Sequence, residues 1–144
     1  NEEQKKWAQL AADHGAHIVL GHHPHVLQPL EWLEQPNGEQ TLVAYSLGNF
    51  LAAQDGFYKD LGGILNVTVE KMVQEEKITI SIDTPSFIPT WIHKKNWREY
   101  RIIPLHQVNE DMLNHVKEHE AEIITHLRTW MPELRFPHNE PNSY

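Results

Sequence analysis

The run His17-Ile18-Val19-Leu20-Gly21 constrains the fold more than any other stretch of this chain. It is apolar without alternation and too short for a helix, which predicts a strand buried on both faces. Before it, residues 2–14 read as a helix with Trp7, Leu10 and Ala11 on one face, Lys and Glu opposite, and Gly15 as its stop. After it, Gly21-His22-His23-Pro24-His25 breaks the strand. The first dozen residues already read as the interior of a helix, so a leader or membrane anchor is expected upstream of Asn1.

Downstream, the periodicity shifts to antiparallel β structure. Gln35-Pro36-Asn37-Gly38-Glu39 is a turn signal between residues 26–33 and 41–47, predicting a hairpin. Residues 61–71 and 77–83 are β-rich runs joined by Gln74-Glu75-Glu76, a second hairpin. Pro85 and Pro89 punctuate an extended stretch leading to Trp91, and residues 100–105 form a further strand. From Asn109, a plausible N-cap, an amphipathic helix is expected to about Trp130, its stripe being Met112, Leu113, Val116, Ile123, Ile124 and Leu127. The last dozen residues, rich in Pro and Asn, read as a tail. One βα step followed by a mostly antiparallel sheet gives an α/β (α+β) class, with no room for several βαβ units.

Composition narrows the partners. Twenty acidic against 12 basic residues give a formal charge of −8, which argues against a nucleic-acid backbone as partner. The absence of cysteine excludes disulfides, thiolate zinc sites and a thiol nucleophile. No apolar run approaches the roughly 20 residues of a membrane span.

Histidine placement carries the functional signal. Of 11 histidines, His22, His23 and His25 fall within four residues at the end of an apolar strand, where open α/β sheets place ligands. Neutral imidazole binds zinc, iron and manganese. In extended backbone, residues two apart share a side, so His23 and His25 are expected to face one point, with Pro24 biasing His23 toward extended geometry. His22 would then point away unless the loop turns. His115 and His119, at helical spacing, read as an exposed face, and His14 as a helix-end cap. His93, His106, His126 and His138 carry no assignment. Trp91 and Trp97 with Lys94, Lys95 and Arg98 read as packing or a partner contact.

The stretch Ala12-Asp13-His14-Gly15-Ala16-His17-Ile18-Val19-Leu20-Gly21-His22-His23-Pro24-His25-Val26-Leu27-Gln28-Pro29-Leu30-Glu31 resembles the C-terminal signature of CapA-like proteins of the PGA_cap family, linked to poly-gamma-glutamate capsule synthesis. Tyr45-Ser46-Leu47-Gly48-Asn49-Phe50 resembles a second signature at the expected separation, and residues 61–69 and 100–105 look similar too. The resemblance covers roughly residues 1–106, read as the C-terminal part of a domain; residues 107–144 add a helix and tail.

That family is similar to calcineurin-like metallophosphatases. The resemblance implies the C-terminal half of a metallophosphatase-like β-sandwich flanked by helices. It implies two divalent metal ions (Mn, Fe or Zn) in the full-length protein, and a Gly-His-x-His motif laid either on His23 with His25 or on His22 with His25. His22, His23 and His25 become metal ligands by this likeness, His25 a catalytic residue, and Asn49 a residue orienting a ligand. The family's Gly-Asp, bridging-aspartate and Asn-His motifs have no counterpart here, and Asp55 and Asp60 match no ligand. The chain by itself is therefore expected to bind metal weakly and to hydrolyse nothing. Its implied partners are the missing N-terminal half of the domain and a capsule synthase complex at the membrane, in an extracytoplasmic location anchored from upstream. Implied activities are a metal-dependent hydrolase or a non-catalytic accessory protein. A truncated sheet also leaves an unpaired edge, so self-association is expected.

Overall fold

A computed structural model describes residues 1–75, 77–96 and 98–138. The order is α1 (Glu2–Asp13), β1 (Ile18–Leu20), β2 (Leu30–Glu34), β3 (Gln40–Ala44), β4 (Leu61–Asn66), β5 (Val69–Gln74), β6 (Lys77–Ile82), β7 (Ser86–Lys95), β8 (Glu99–Pro104) and α2 (Val116–Leu127). Two helices and mostly antiparallel sheets make this an α+β fold with a terminal helix.

Three sheets form. In the first, ordered β1-β3-β2, β3 pairs in parallel with β1 and antiparallel with β2. The second is antiparallel in the order β4-β7-β8, and the third is the β5–β6 hairpin. The first hairpin follows from Pro36-Asn37-Gly38: Gly38 adopts φ +82, and Gln35 and Glu39 close the turn through a 2.8 Å backbone bond.

The strand buried on both faces is β3, not β1. Leu42 and Ala44 enter the main core, while Val43 and Tyr45 pack with Ala8 under α1. β1 is an edge strand, and Leu20 is 62% exposed. An edge position leaves its side chains half-covered despite their apolarity.

α1 also turns a different face inward. Ala8 and Ala12 are buried, whereas Trp7 and Leu10 are exposed. Small residues let the helix lie close to the sheet. At its first turn Asn1 Oδ1 accepts the Gln4 N–H at 2.9 Å, and the Gln4 side chain accepts from the Asn1 nitrogen.

Several C-terminal expectations change. Residues 61–71 split into β4 and β5, which belong to different sheets. The Pro-punctuated stretch is the ten-residue central strand β7. Pro89 is tolerated there because pairing with β8 begins only at Thr90, leaving β4 as the sole neighbour at that point.

The final helix starts at Val116 rather than Asn109. Asn109 Oδ1 accepts the Met112 N–H and caps a turn, and His115 at φ +58 separates that turn from α2. Of the expected stripe, Val116, Ile123 and Leu127 are buried, and Met112, Leu113 and Ile124 pack against the same core.

Residues 131–138 do not behave as a tail. Met131, Leu134 and Phe136 are buried, Phe87 N–H donates to Arg135 C=O at 2.8 Å, and Arg128 donates twice to Leu134 C=O. The rest of the expected tail, residues 139–144, lies outside the described residues, as do Glu76 of the second turn and Trp97.

Candidate functional site

Parallel pairing of β1 with β3 brings the ends of both strands to one side, so the segments that leave them, residues 21–26 and 45–50, lie together. Gly21 allows this: its N–H donates to Ala44 C=O at 2.7 Å, and a Cβ there would meet Tyr45 O at 2.5 Å. Leu27 then bridges to Leu47.

Glycines also anchor the second segment. Gly48 at φ +68 bridges Gly62, and a side chain on either would run into the other strand's backbone. Asn49 N–H donates to Leu61 C=O at 3.0 Å, which fixes the asparagine against β4.

Asn49 is 6% exposed and makes the central contact of the site. Its Nδ2 donates to Lys59 C=O at 2.8 Å and Gln54 Oε1 at 3.0 Å. The amide is thereby oriented, and Oδ1 faces His25 Nδ1 at 2.9 Å. An amide oxygen only accepts, so His25 donates from Nδ1, and in the neutral ring this leaves the Nε2 lone pair free. This is the arrangement in which metal-binding histidines are usually held.

His23 stands beside it, with ring centroids 6.0 Å apart and planes tilted by 49°. The two are not neighbours through extended alternation. His23 has φ +123 and His25 φ +60, so the loop turns sharply at both, against the extended bias that Pro24 was expected to impose. Positive φ on a non-glycine residue stores strain, of the kind that concentrates at binding sites. His22 lies elsewhere, lining a groove with Trp7, Val19 and Tyr45 between α1 and the first sheet.

The remaining sequence candidates are occupied with structure. Asp60 pairs with Lys94 at 2.6 Å, and Asp55 Oδ1 accepts the Gly56 N–H. His14 Nδ1 meets Leu10 C=O at 2.8 Å as a helix-end cap. His119 lies against Phe57, and His115 is at the N-cap of α2 beside Glu118. Among the described residues, no group of three or more His, Asp or Glu side chains converges to hold a metal ion.

Two features escaped the sequence. A cleft of about 320 Å³ opens beside Val26 and Leu27, walled by Leu61 and Ile123, with Tyr58, Glu122 and His126 at its rim. The Tyr58 hydroxyl donates to Glu122 at 3.0 Å, and that bond raises its pKa. The other is the Tyr45 hydroxyl donating to Glu31; burial, then this bond, raises its pKa strongly. Glu31 and Tyr45 belong to the two CapA-type signatures, so these are tied at both ends, by His25–Asn49 and by Glu31–Tyr45.

Comparison with known proteins decides the relationship. The family model for bacterial capsule synthesis protein PGA_cap matches residues 1–54. Over its first 54 residues the chain is similar to CapA-like capsule-biosynthesis proteins. It is 48% identical over 54 residues to the PGA biosynthesis protein CapA of Bacillus subtilis (strain 168), and 43% identical over 51 residues to the capsule biosynthesis protein CapA of Bacillus anthracis. The matches cover 38% and 35% of this chain, but 13% and 11% of those relatives. No solved structure matches. The CapA-like segment thus contains both signatures and the whole histidine loop. Among the described residues no helix is long and apolar enough to cross a membrane.

Proposed function

We propose that this CapA-like chain contributes imidazole ligands to a metallophosphatase-like two-metal centre serving capsule polymer synthesis. His25 would bind through Nε2 with His23 beside it, and further donors would come from outside the described residues. The observation that carries this is the His25–Asn49 bond, which presets one tautomer and aims one lone pair. The donor chemistry fits: two neutral imidazoles suit Mn, Fe or Zn, but two cannot complete a shell. Such a centre, when filled, acidifies bound water and offsets charge on phosphoryl or carboxyl oxygen.

The chain's own part is positional. Asn49 keeps the proton on His25 Nδ1, Gly48 and Gly62 hold Asn49, and the strained turns at His23 and His25 keep the rings adjacent. His22, in the other groove, would act only if the loop reversed. The full-length protein would work outside the cytoplasm, anchored from upstream, beside a membrane capsule synthase.

The test is zinc titration followed by histidine ring NMR. His23 and His25 signals should move together while His14 and His22 stay put, and His25→Ala should abolish the shift at His23. Unmoved His23 and His25 signals at millimolar zinc would overturn the proposal.

A second reading is a non-catalytic accessory or scaffold for polymer synthesis, transport or anchoring. Among the described residues only two imidazoles come together, with no third donor beside them, which favours it. Capsule formation that survives replacement of both His23 and His25 would select this reading.

A further inference from the structure

The β5–β6 hairpin forms its own two-stranded sheet, and no other described strand pairs with it. Such a ribbon is marginal in water without a further neighbour. Its register sets Val69 opposite Ile82, Lys71 opposite Ile80 and Val73 opposite Ile78, so one face is aliphatic apart from Lys71. Much of that face is uncovered: Val69 is 48%, Val73 60% and Ile78 57% exposed. The other face carries Glu70, Met72, Gln74, Lys77, Thr79 and Ser81.

The two outer edges differ. β5 has Lys71 at its middle on the aliphatic face, the kind of residue that discourages edge pairing. Between Lys77 and Asp83, β6 has no charge, proline or bulge: it reads Ile78-Thr79-Ile80-Ser81-Ile82. Hydrogen bonding sets which of its groups are free. Asp83 N–H donates to Thr68 C=O, so the antiparallel alternation turns Ser81, Thr79 and Lys77 toward β5. Ile78, Ile80 and Ile82 therefore point their N–H and C=O groups outward.

We propose that β6 pairs antiparallel with β6 of a second copy of this chain, centred on Ile80, to make a continuous four-stranded sheet. In that register Ile80 faces Ile80, Ile78 faces Ile82, and Thr79 faces Ser81. Lys77 of each copy faces Asp83 of the other, giving two opposite-charge pairs by symmetry. The outward backbone groups of the three isoleucines bond to each other, and the aliphatic faces of both hairpins join. The edge is thus self-complementary in backbone, shape and charge, which a twofold interface requires.

Sedimentation equilibrium across concentration should show a monomer–dimer equilibrium. Ile80→Pro removes an N–H that β5 does not use, so it should give a monomer with unchanged circular dichroism. Lys77→Asp or Asp83→Lys alone sets like charges opposite and should weaken dimerisation roughly tenfold. The double swap should restore it to within about twofold. That restoration also controls for local effects, because Asp83 lies in an open hollow with Glu133 and Arg135. The chain has no cysteine, so Thr79→Cys and Ser81→Cys chains, mixed, should cross-link faster than either alone. A wild-type monomer at high concentration, a dimer that persists in Ile80→Pro, or a double swap no better than the single changes would each overturn the proposal. The second outcome would place self-association at another edge, such as β1.

Discussion

His25 Nδ1 lies 2.9 Å from Asn49 Oδ1, across 24 residues of chain, and the amide that makes this bond is oriented by Lys59 and Gln54. One buried side chain therefore sets the proton position of an exposed imidazole. Asn49→Ala should lower zinc affinity at the loop about 10–100-fold. It should also cost about 1–3 kcal/mol by leaving the Lys59 carbonyl without its donor. Nitrogen-detected NMR of the His25 ring, run beside zinc titration, reads both consequences: the Nδ1–H tautomer should no longer dominate.

His23→Gly separates strain from ligation. Glycine adopts φ +123 without penalty, so stability should rise by about 1 kcal/mol while zinc-induced shifts at His25 weaken. Urea unfolding with and without zinc shows the two effects in opposite directions. A destabilised variant would show that His23 contributes packing that outweighs its backbone cost.

Gly62→Ala should be among the most damaging small changes in the chain. The added methyl would press on the Asn49 backbone, so a loss of roughly 2–3 kcal/mol is expected. Gly38→Ala is the contrast, with open space around it and only its φ of +82 to oppose the change. Urea midpoints of the two variants check the order.

Phe136→Ala should cost about 3–5 kcal/mol, as for a core aromatic. Its ring is 3% exposed and meets Phe87 edge-on, with the Arg128 guanidinium 5.1 Å from its centre. Thermal unfolding checks this; a surface-like loss below about 0.5 kcal/mol would mean that residues 131–138 do not belong to the folded unit.

Acid should loosen the same region. His106 stacks on His138 with centroids 3.7 Å apart, and burial, then His138, pushes the His106 imidazole below its ordinary 6.5, with Glu120 opposing. The folded state then holds fewer protons than the unfolded one between the lowered value and 6.5. Stability therefore rises with pH through that window, is complete above it, and is lost as pH falls. His106→Gln should flatten the dependence of the urea midpoint on pH between about 5 and 8.

Local chemistry made some of this architecture legible. Pro36-Asn37-Gly38 announced the first hairpin, Gly15 ended α1, and the spacing of Val116, Ile123 and Leu127 announced α2. What failed depended on neighbours remote in sequence. β1 looked like an interior strand because its residues are apolar, but burial depends on how many strands flank it. α1 turned Ala8 and Ala12 inward and left Trp7 exposed, because the face a helix buries is set by the sheet it packs on and not by its own apolar residues alone. Residues 131–138 looked loose because their partners, Pro85 and Phe87, lie about 50 positions earlier. At the site, the clustering of His23 and His25 and the interest of Asn49 were visible, yet the contact between Asn49 and His25 exists only through the parallel pairing of β1 and β3.

That pairing also divides the first sheet into a business end and a spare end. The Pro36–Gly38 bend sits at the far tip of β2 and β3, roughly 17 Å of strand away from the imidazoles. Extra residues, an epitope or a fluorescent reporter spliced into the bend should leave the histidine loop undisturbed. The bend is thus a handle by which the molecule can be labelled or immobilised while the histidine loop stays open to solvent.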